Sequence, residues 1–218
     1  MQDSREIVPE EVKSQSMARL ESLGMSLEED LPVMELGEDD CAQLARDVAR
    51  KAVVLTYLVG IGYGAKPVKI KKAFKDYALW DFVSSEENAL LKKSRFTEQE
   101  QINAQWLLEG VQACAWCLNL LEMSPEESYA DDLASHFPKL YTPPRDFIHH
   151  AELRTGAEIF AEADFYYRLH AAAREAREAG REFRISESLI VERRRVLDWV
   201  IGSEEDWDEV LNDAVQES

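Results

Sequence analysis

Between Thr97 and Leu121 the apolar side chains Leu107, Val111, Cys114, Leu118 and Leu121 recur at every third or fourth position, and no other pattern constrains the fold so strongly. That spacing lines them along one side of an α-helix, whereas in a strand it would scatter them over both faces. Thr97, followed three residues later by Glu100, supplies a capping box for the helix start. Comparable segments fill the rest of the chain. Pro9 with Glu10 and Glu11 opens a helix that Gly24 stops, and Glu38-Asp39-Asp40 opens another carrying Leu44, Val48, Leu55 and Leu58 towards Gly60, Gly62 and Gly64. Pro67 begins a helix with Ile70, Phe74 and Tyr77, and Ser84 to Glu87 caps a shorter one.

Ser124-Pro125-Glu126-Glu127 predicts a further helix ending near Phe137, and residues 138–148, with three of the seven prolines, form the clearest loop. Ile159, Ala163, Tyr166, His170 and Ala173 share one side of a long helix closed by Gly180, and Arg181 to Ile185 reads as a brief extended segment. Ser186 caps a basic helix that runs to Gly202, after which Trp207, Val210, Leu211 and Ala214 stripe a last, acidic helix. No stretch sustains the alternation of a large sheet. The expected fold is all-α: a single globular multi-helix domain over residues 1–218, with about nine helices. Residues 1–37 are expected to be a loosely attached helix and loop.

Hydrophobic residues make up 45% of the chain and include five Trp, seven Tyr and eight Phe, enough for a core without metal or disulfide staples. The charge is lopsided, with 43 acidic against 25 basic residues and a formal −18. Such a surface repels phosphate backbones and favours encounter with a basic partner, so another protein is expected rather than nucleic acid. The longest apolar run, Ala52 to Ala65, is too short for a bilayer span. The opening MQDSREIVPEE lacks the basic start and apolar run of a secretory leader, and three cysteines suit a reducing compartment. The expectation is a cytoplasmic protein that neither carries a cofactor nor enters a membrane.

Motif-like stretches read mostly as structure. Cys114-Ala-Trp-Cys117 has redox spacing, but it lies deep inside the periodic helix and no second cysteine pair completes a zinc site; His149 and His150 are the nearest additional ligands by type. Gly60-Ile-Gly-Tyr-Gly-Ala-Lys66 lacks the P-loop spacing and follows a helix, so a helix ending and hinge are expected. Lys66, Lys69, Lys71, Lys72 and Lys75 form a basic island, read as a solvated helix face that an anionic ligand would also suit. None of His136, His149, His150 and His170 follows a Glu three residues earlier, so the bundle di-metal motif is absent.

The richest polar cluster comprises Trp106, Glu109, Arg154, Asp164, Arg168, Glu192, Arg193, Trp207 and Asp208, with Glu158 and Asp198 nearby. Arg–carboxylate pairs beside aromatic rings lock helices together, because a guanidinium hydrogen-bonds through a planar fork and stacks; the same set lines polar pockets. Locking is the favoured reading. Three blocks within this region carry a family resemblance: Trp106-x-x-Glu109 with Cys114 to Leu118; Leu153-Arg154, Glu158-Ile159 and Asp164 to His170; and Val191-Glu192-Arg193, Leu197-Asp198-Trp199 and Trp207-Asp208-x-Val210-x-x-Asp213. Their order resembles the mostly bacterial family termed domain of unknown function 4272. Residues 106–218 would be its core. Leu107 stands where the family often has Arg, and Ala214 where a Thr often follows the Asp. The resemblance implies a helical fold and names no activity.

No catalytic motif is present, and the expected role is a non-enzymatic protein-binding module. Its concrete form is an acidic inhibitor or immunity protein for a basic toxin or nuclease, with contacts from Glu28 to Asp40 and Glu204 to Asp213. The alternative is an enzyme or small-ligand sensor whose polar pocket includes Glu109, Asp164, Arg168, Glu192 and Arg193.

Overall fold

The computed structural model describes residues 7–35, 41, 43–202 and 207–208. Among these the protein is all-α, with eight α-helices, two short 3-10 turns and no strand: α1 Pro9–Ser22, α2 Ala45–Gly62, α3 Pro67–Asp76, α4 Ser85–Lys92, α5 Glu98–Cys117, α6 Arg145–His149, α7 Gly156–Glu178 and α8 Glu187–Ile201. The chain divides into two compact units. A central unit comprises residues 44–153, and a terminal unit combines residues 1–43 with 154–218. The seams fall at neither 37 nor 106, and α5 runs uninterrupted through Trp106.

In the central unit α2 packs along α5. Val48, Ala52, Val53, Leu55 and Leu58 are sealed from solvent, and Ala113, Cys114, Ala115 and Cys117 of α5 are equally buried. Small side chains on α5 let the helices approach closely. At Gly62 the approach leaves no room for a side chain, since a Cβ there would lie 2.8 Å from the Gln101 carbonyl oxygen. Gly64, with φ +83°, then ends α2 in a left-handed turn closed by the Ala65 amide on the Gly60 carbonyl at 2.7 Å. The glycine stretch is therefore a helix terminus. Thr97 forms the capping box expected at α5, and the cap expected at α4 is likewise a full box between Ser84 and Glu87.

Ser124 to Glu127 starts no α-helix; the chain turns there and forms only a 3-10 turn at Leu133–His136. Buried side chains of α5 supply the reason. Glu109 accepts the Tyr129 amide at 3.2 Å, and Gln112 accepts the Ala130 amide at 2.9 Å while donating to the Glu122 carbonyl. These bonds satisfy the loop backbone in a non-helical form. Within the proline-rich loop, residues 145–149 wind into the short α6.

In the terminal unit α7 packs against both α1 and α8. It is buried on most of its circumference, so Glu162, Asp164, Arg168 and His170 are enclosed along with Ile159, Phe165 and Leu169. Polar groups in such a helix must find partners. Gly180 and Gly202 close α7 and α8 in left-handed turns. Ser186 precedes α8 but makes no side-chain capping bond, and residues 181–185 form no strand. The expected start at Glu38 to Asp40 and the body of the acidic last helix lie outside the described residues.

Candidate functional site

Seven of the nine predicted site residues belong to the terminal unit, and Trp106 and Glu109 belong to the central one. Asp164 and Arg168, one helical turn apart on α7, are each only 1% exposed. The Arg168 fork donates to both carboxylate oxygens, at 2.8 and 2.9 Å, and its remaining reach goes to the Pro32 carbonyl at 3.1 Å. Arg193, equally buried, donates to the Tyr166 hydroxyl at 3.0 Å, while burial pushes that phenol up to about 12 against the pull of Arg193. Trp207 meets Trp199 edge-on with ring centroids 5.3 Å apart, and the Arg195 guanidinium sits 4.2 Å over it. Arg154 faces Glu158 at 3.9 Å in a partly exposed pair. Glu192 and Asp208 are half-buried, as is Trp106, whereas Glu109 is buried on its loop amide.

The arrangement is one of locks. Arg168 is spent on Asp164 and the Pro32 carbonyl, Arg193 on the Tyr166 hydroxyl and Glu109 on a loop amide, and none of the nine residues lines the cavity described below. Two further locks stand beside these, and of their contacts only Arg194 with Asp198, four residues apart on α8, has a signal in local sequence. Arg19 of α1 grips Glu162 through both nitrogens, at 2.5 and 3.1 Å, with its guanidinium 3.7 Å from the Phe165 ring centre. Arg194 donates to Asp198 at 2.9 Å and to His170 Nδ1 at 2.8 Å.

An arginine can only donate, so Nδ1 of His170 accepts and the ring is neutral with its proton on Nε2. Burial, followed by Arg194, Arg174 and Arg177, pulls the imidazole from 6.5 down to about 4. Between those values the unfolded chain binds more protons than the folded one. The stabilisation is therefore complete above about pH 6.5 and is lost as the pH falls towards 4. Near pH 5 the loss from this one group is about 2 kcal/mol. His170→Asn, which retains an acceptor for Arg194, is expected to shrink the stability difference between about pH 7 and about pH 5 by that amount in urea unfolding. An unchanged difference would remove His170 as the cause.

The thiol at Cys114 is fully enclosed and burial raises it to about 12, which makes it a poor nucleophile. No group of His, Cys, Asp or Glu among the described residues is arranged to hold a metal ion. Among them, too, no helix is long and apolar enough to cross a membrane.

The central unit has an open cavity of about 490 Å³ that the sequence reading missed. Arg46 and Arg50 of α2, Asp76 and Tyr77 at the end of α3, and Arg145 and His149 of α6 line it. The signal was not local, since Arg46 and Arg145 lie about a hundred positions apart and meet only because α2 packs on α6. The lysine island occupies α3, whereas the cavity's cationic side chains come from α2 and α6.

These features define an all-helical protein with buried Arg–carboxylate pairing in its terminal unit and an arginine-lined cavity in its central one. The chain belongs to the family described as Domain of unknown function (DUF4272), whose profile matches residues 12–210. The match reaches well beyond the three blocks from Trp106 onward and takes in most of α1 and all of α2 to α4. Comparison with curated proteins and with solved structures returned no match.

Proposed function

We propose that the protein is a non-enzymatic binding module whose terminal unit captures a basic protein. The supporting observation is where the charge sits. The terminal unit has 28 Asp and Glu against 12 Lys and Arg, a net −16, while the central unit has 15 against 13, a net −2. Several of the terminal unit's few cations are turned inward as well: Arg168 and Arg193 are buried, and Arg19 and Arg194 are tied to Glu162 and Asp198. Glu10, Glu11, Glu21, Glu28, Glu178 and Glu182 remain exposed. A field of one sign speeds encounter with a partner of the other and selects against wrong ones.

Part of the acidic surface is held in place before binding. Glu175 accepts the amides of Glu28 and Glu29 at 3.0 and 2.7 Å, and Lys13 holds Asp30 and the Leu31 carbonyl. Such an anchored loop loses less freedom on association. Of the contact segments expected from sequence, residues 36–40, 203–206 and 209–213 lie outside the described residues. The finer reading is an inhibitor or immunity protein covering a basic toxin or nuclease. Its support is the same charge segregation together with the enclosure of the polar cluster, which disfavours the pocket enzyme or sensor built on Glu109, Asp164, Arg168, Glu192 and Arg193.

Co-expression with the product of the neighbouring gene tests the proposal. A stable complex with a basic protein is expected, its association slowing by about tenfold or more as salt is raised from low to several hundred millimolar. Relief of that protein's toxicity would support the inhibitor form. A partnerless monomer that rescues no toxic neighbour would sink the proposal, and so would a complex indifferent to salt.

A further inference from the structure

We infer that the cavity in the central unit is a binding site for a small organic phosphate, a phosphomonoester carrying a compact ring or apolar body. This inference is independent of the proposed protein partner, because it rests on a different unit and on the opposite charge.

The first support is the state of the arginines. Several guanidinium groups elsewhere in the fold are matched to carboxylates, as in Arg168 with Asp164, Arg177 with Glu187 and Arg194 with Asp198. In the cavity, Arg46 and Arg145 have no carboxylate within 4.0 Å among the described residues. Arg46 reaches only the Nδ1 of His149, at 3.4 Å. Arg50 has a single carboxylate bond, from one terminal nitrogen to Asp47 at 2.7 Å, and it also faces the Phe82 ring. The acid on the wall, Asp76, is neutralised by Lys72 at 2.5 Å. Three planar forks therefore converge on one opening with little local negative charge, in a chain whose net charge is −18. Cations that line one opening repel one another, and an anion with several acceptor oxygens relieves that repulsion while accepting from the forks.

The second support is size and lining. About 490 Å³ lies inside the range of small-molecule sites and is far more than a bare anion fills. The remaining lining supplies surfaces for an organic body, from the half-buried Tyr77 ring and the buried Pro144 and Ile148. The wall also holds one of the two non-glycine residues with positive φ among the described residues, Ala78 at +52°. It ends α3 where glycine is the easy choice, with the Leu79 amide on the Phe74 carbonyl at 2.9 Å. Backbone strain kept at a cavity wall is a recurrent mark of binding sites.

Calorimetric titration of the full chain with adenosine monophosphate, ribose 5-phosphate, adenosine and succinate, at low salt, tests the assignment. At least one of the two phosphates is expected to bind, with adenosine and succinate at least tenfold weaker or silent. Arg46→Ala and Arg145→Ala should each weaken that binding by about tenfold, and the double substitution more, with unchanged helical circular dichroism because both side chains are exposed. Arg46→Lys should recover only part of the loss, since a lysine keeps the charge and loses the fork. Succinate binding as tightly as the phosphates would overturn the phosphate assignment. Binding by neither phosphate, or phosphate binding unaffected in the folded double variant, would overturn the site itself.

Discussion

Replacing Asp164 with Ala is expected to cost the protein about 3–5 kcal/mol, because it strands a guanidinium that is 1% exposed inside the terminal unit. Arg168 has both carboxylate bonds to lose and retains only the Pro32 carbonyl. The attraction between the two groups is largely offset by the desolvation of each, so the pair's value lies in never being broken singly. Asp164→Leu with Arg168→Met should accordingly be milder than either single substitution. It should not be neutral, since the Pro32 carbonyl then loses its donor. Urea unfolding of the three variants measures this. A loss below about 1 kcal/mol for Asp164→Ala would mean that water reaches Arg168 and that the cluster is open enough to serve as a site.

The second large effect is expected at Lys51, in the middle of α2 and 2% exposed. Its ammonium donates to both oxygens of Glu87, at 2.8 and 2.9 Å, and to the Phe82 carbonyl at 3.2 Å. One Glu87 oxygen also accepts the Ser84 amide, completing the capping box of α4. One carboxylate thus anchors α4 to α2 and starts α4. Lys51→Met is expected to lose about 3–5 kcal/mol by leaving that carboxylate buried without its cation. Adding Glu87→Leu removes the stranded charge but also the reciprocal cap bond, so recovery should fall short by about 1 kcal/mol. Denaturant unfolding combined with amide exchange across α4 separates the two contributions. Equal protection of α4 in Lys51→Met and in the wild type would refute the anchoring role.

Legibility in the sequence follows the distance over which each determinant acts. Thr97 with Glu100 and Ser84 with Glu87 act within one helical turn; the box at Thr97 forms as read, and the cap at Ser84 proves to be a full box as well. The helix expected after Ser124 fails because Glu109 and Gln112, residues of another element, bind the amides of Tyr129 and Ala130. Local propensity has no access to such partners. The Asp164–Arg168 pair was within reach, since its members sit four residues apart on one helix face. Arg19 with Glu162 was not, because 143 residues separate them.

By itself the sequence determined the helical class and most helix limits, through a 3.6-residue apolar period, capping side chains and stop glycines, all of which operate over a few residues. It also carried the excess of acids, a property of composition alone. The tertiary structure alone decided that residues 1–43 join 154–218 rather than forming a loose appendage, and that most of the negative charge therefore gathers in one unit. It alone turned Asp164, Arg168 and Arg193 inward as locks, and it alone brought Arg46, Arg50 and Arg145 to one cavity. Burial and convergence depend on which helices pack together, and that is settled by long-range contacts that no short window of sequence contains.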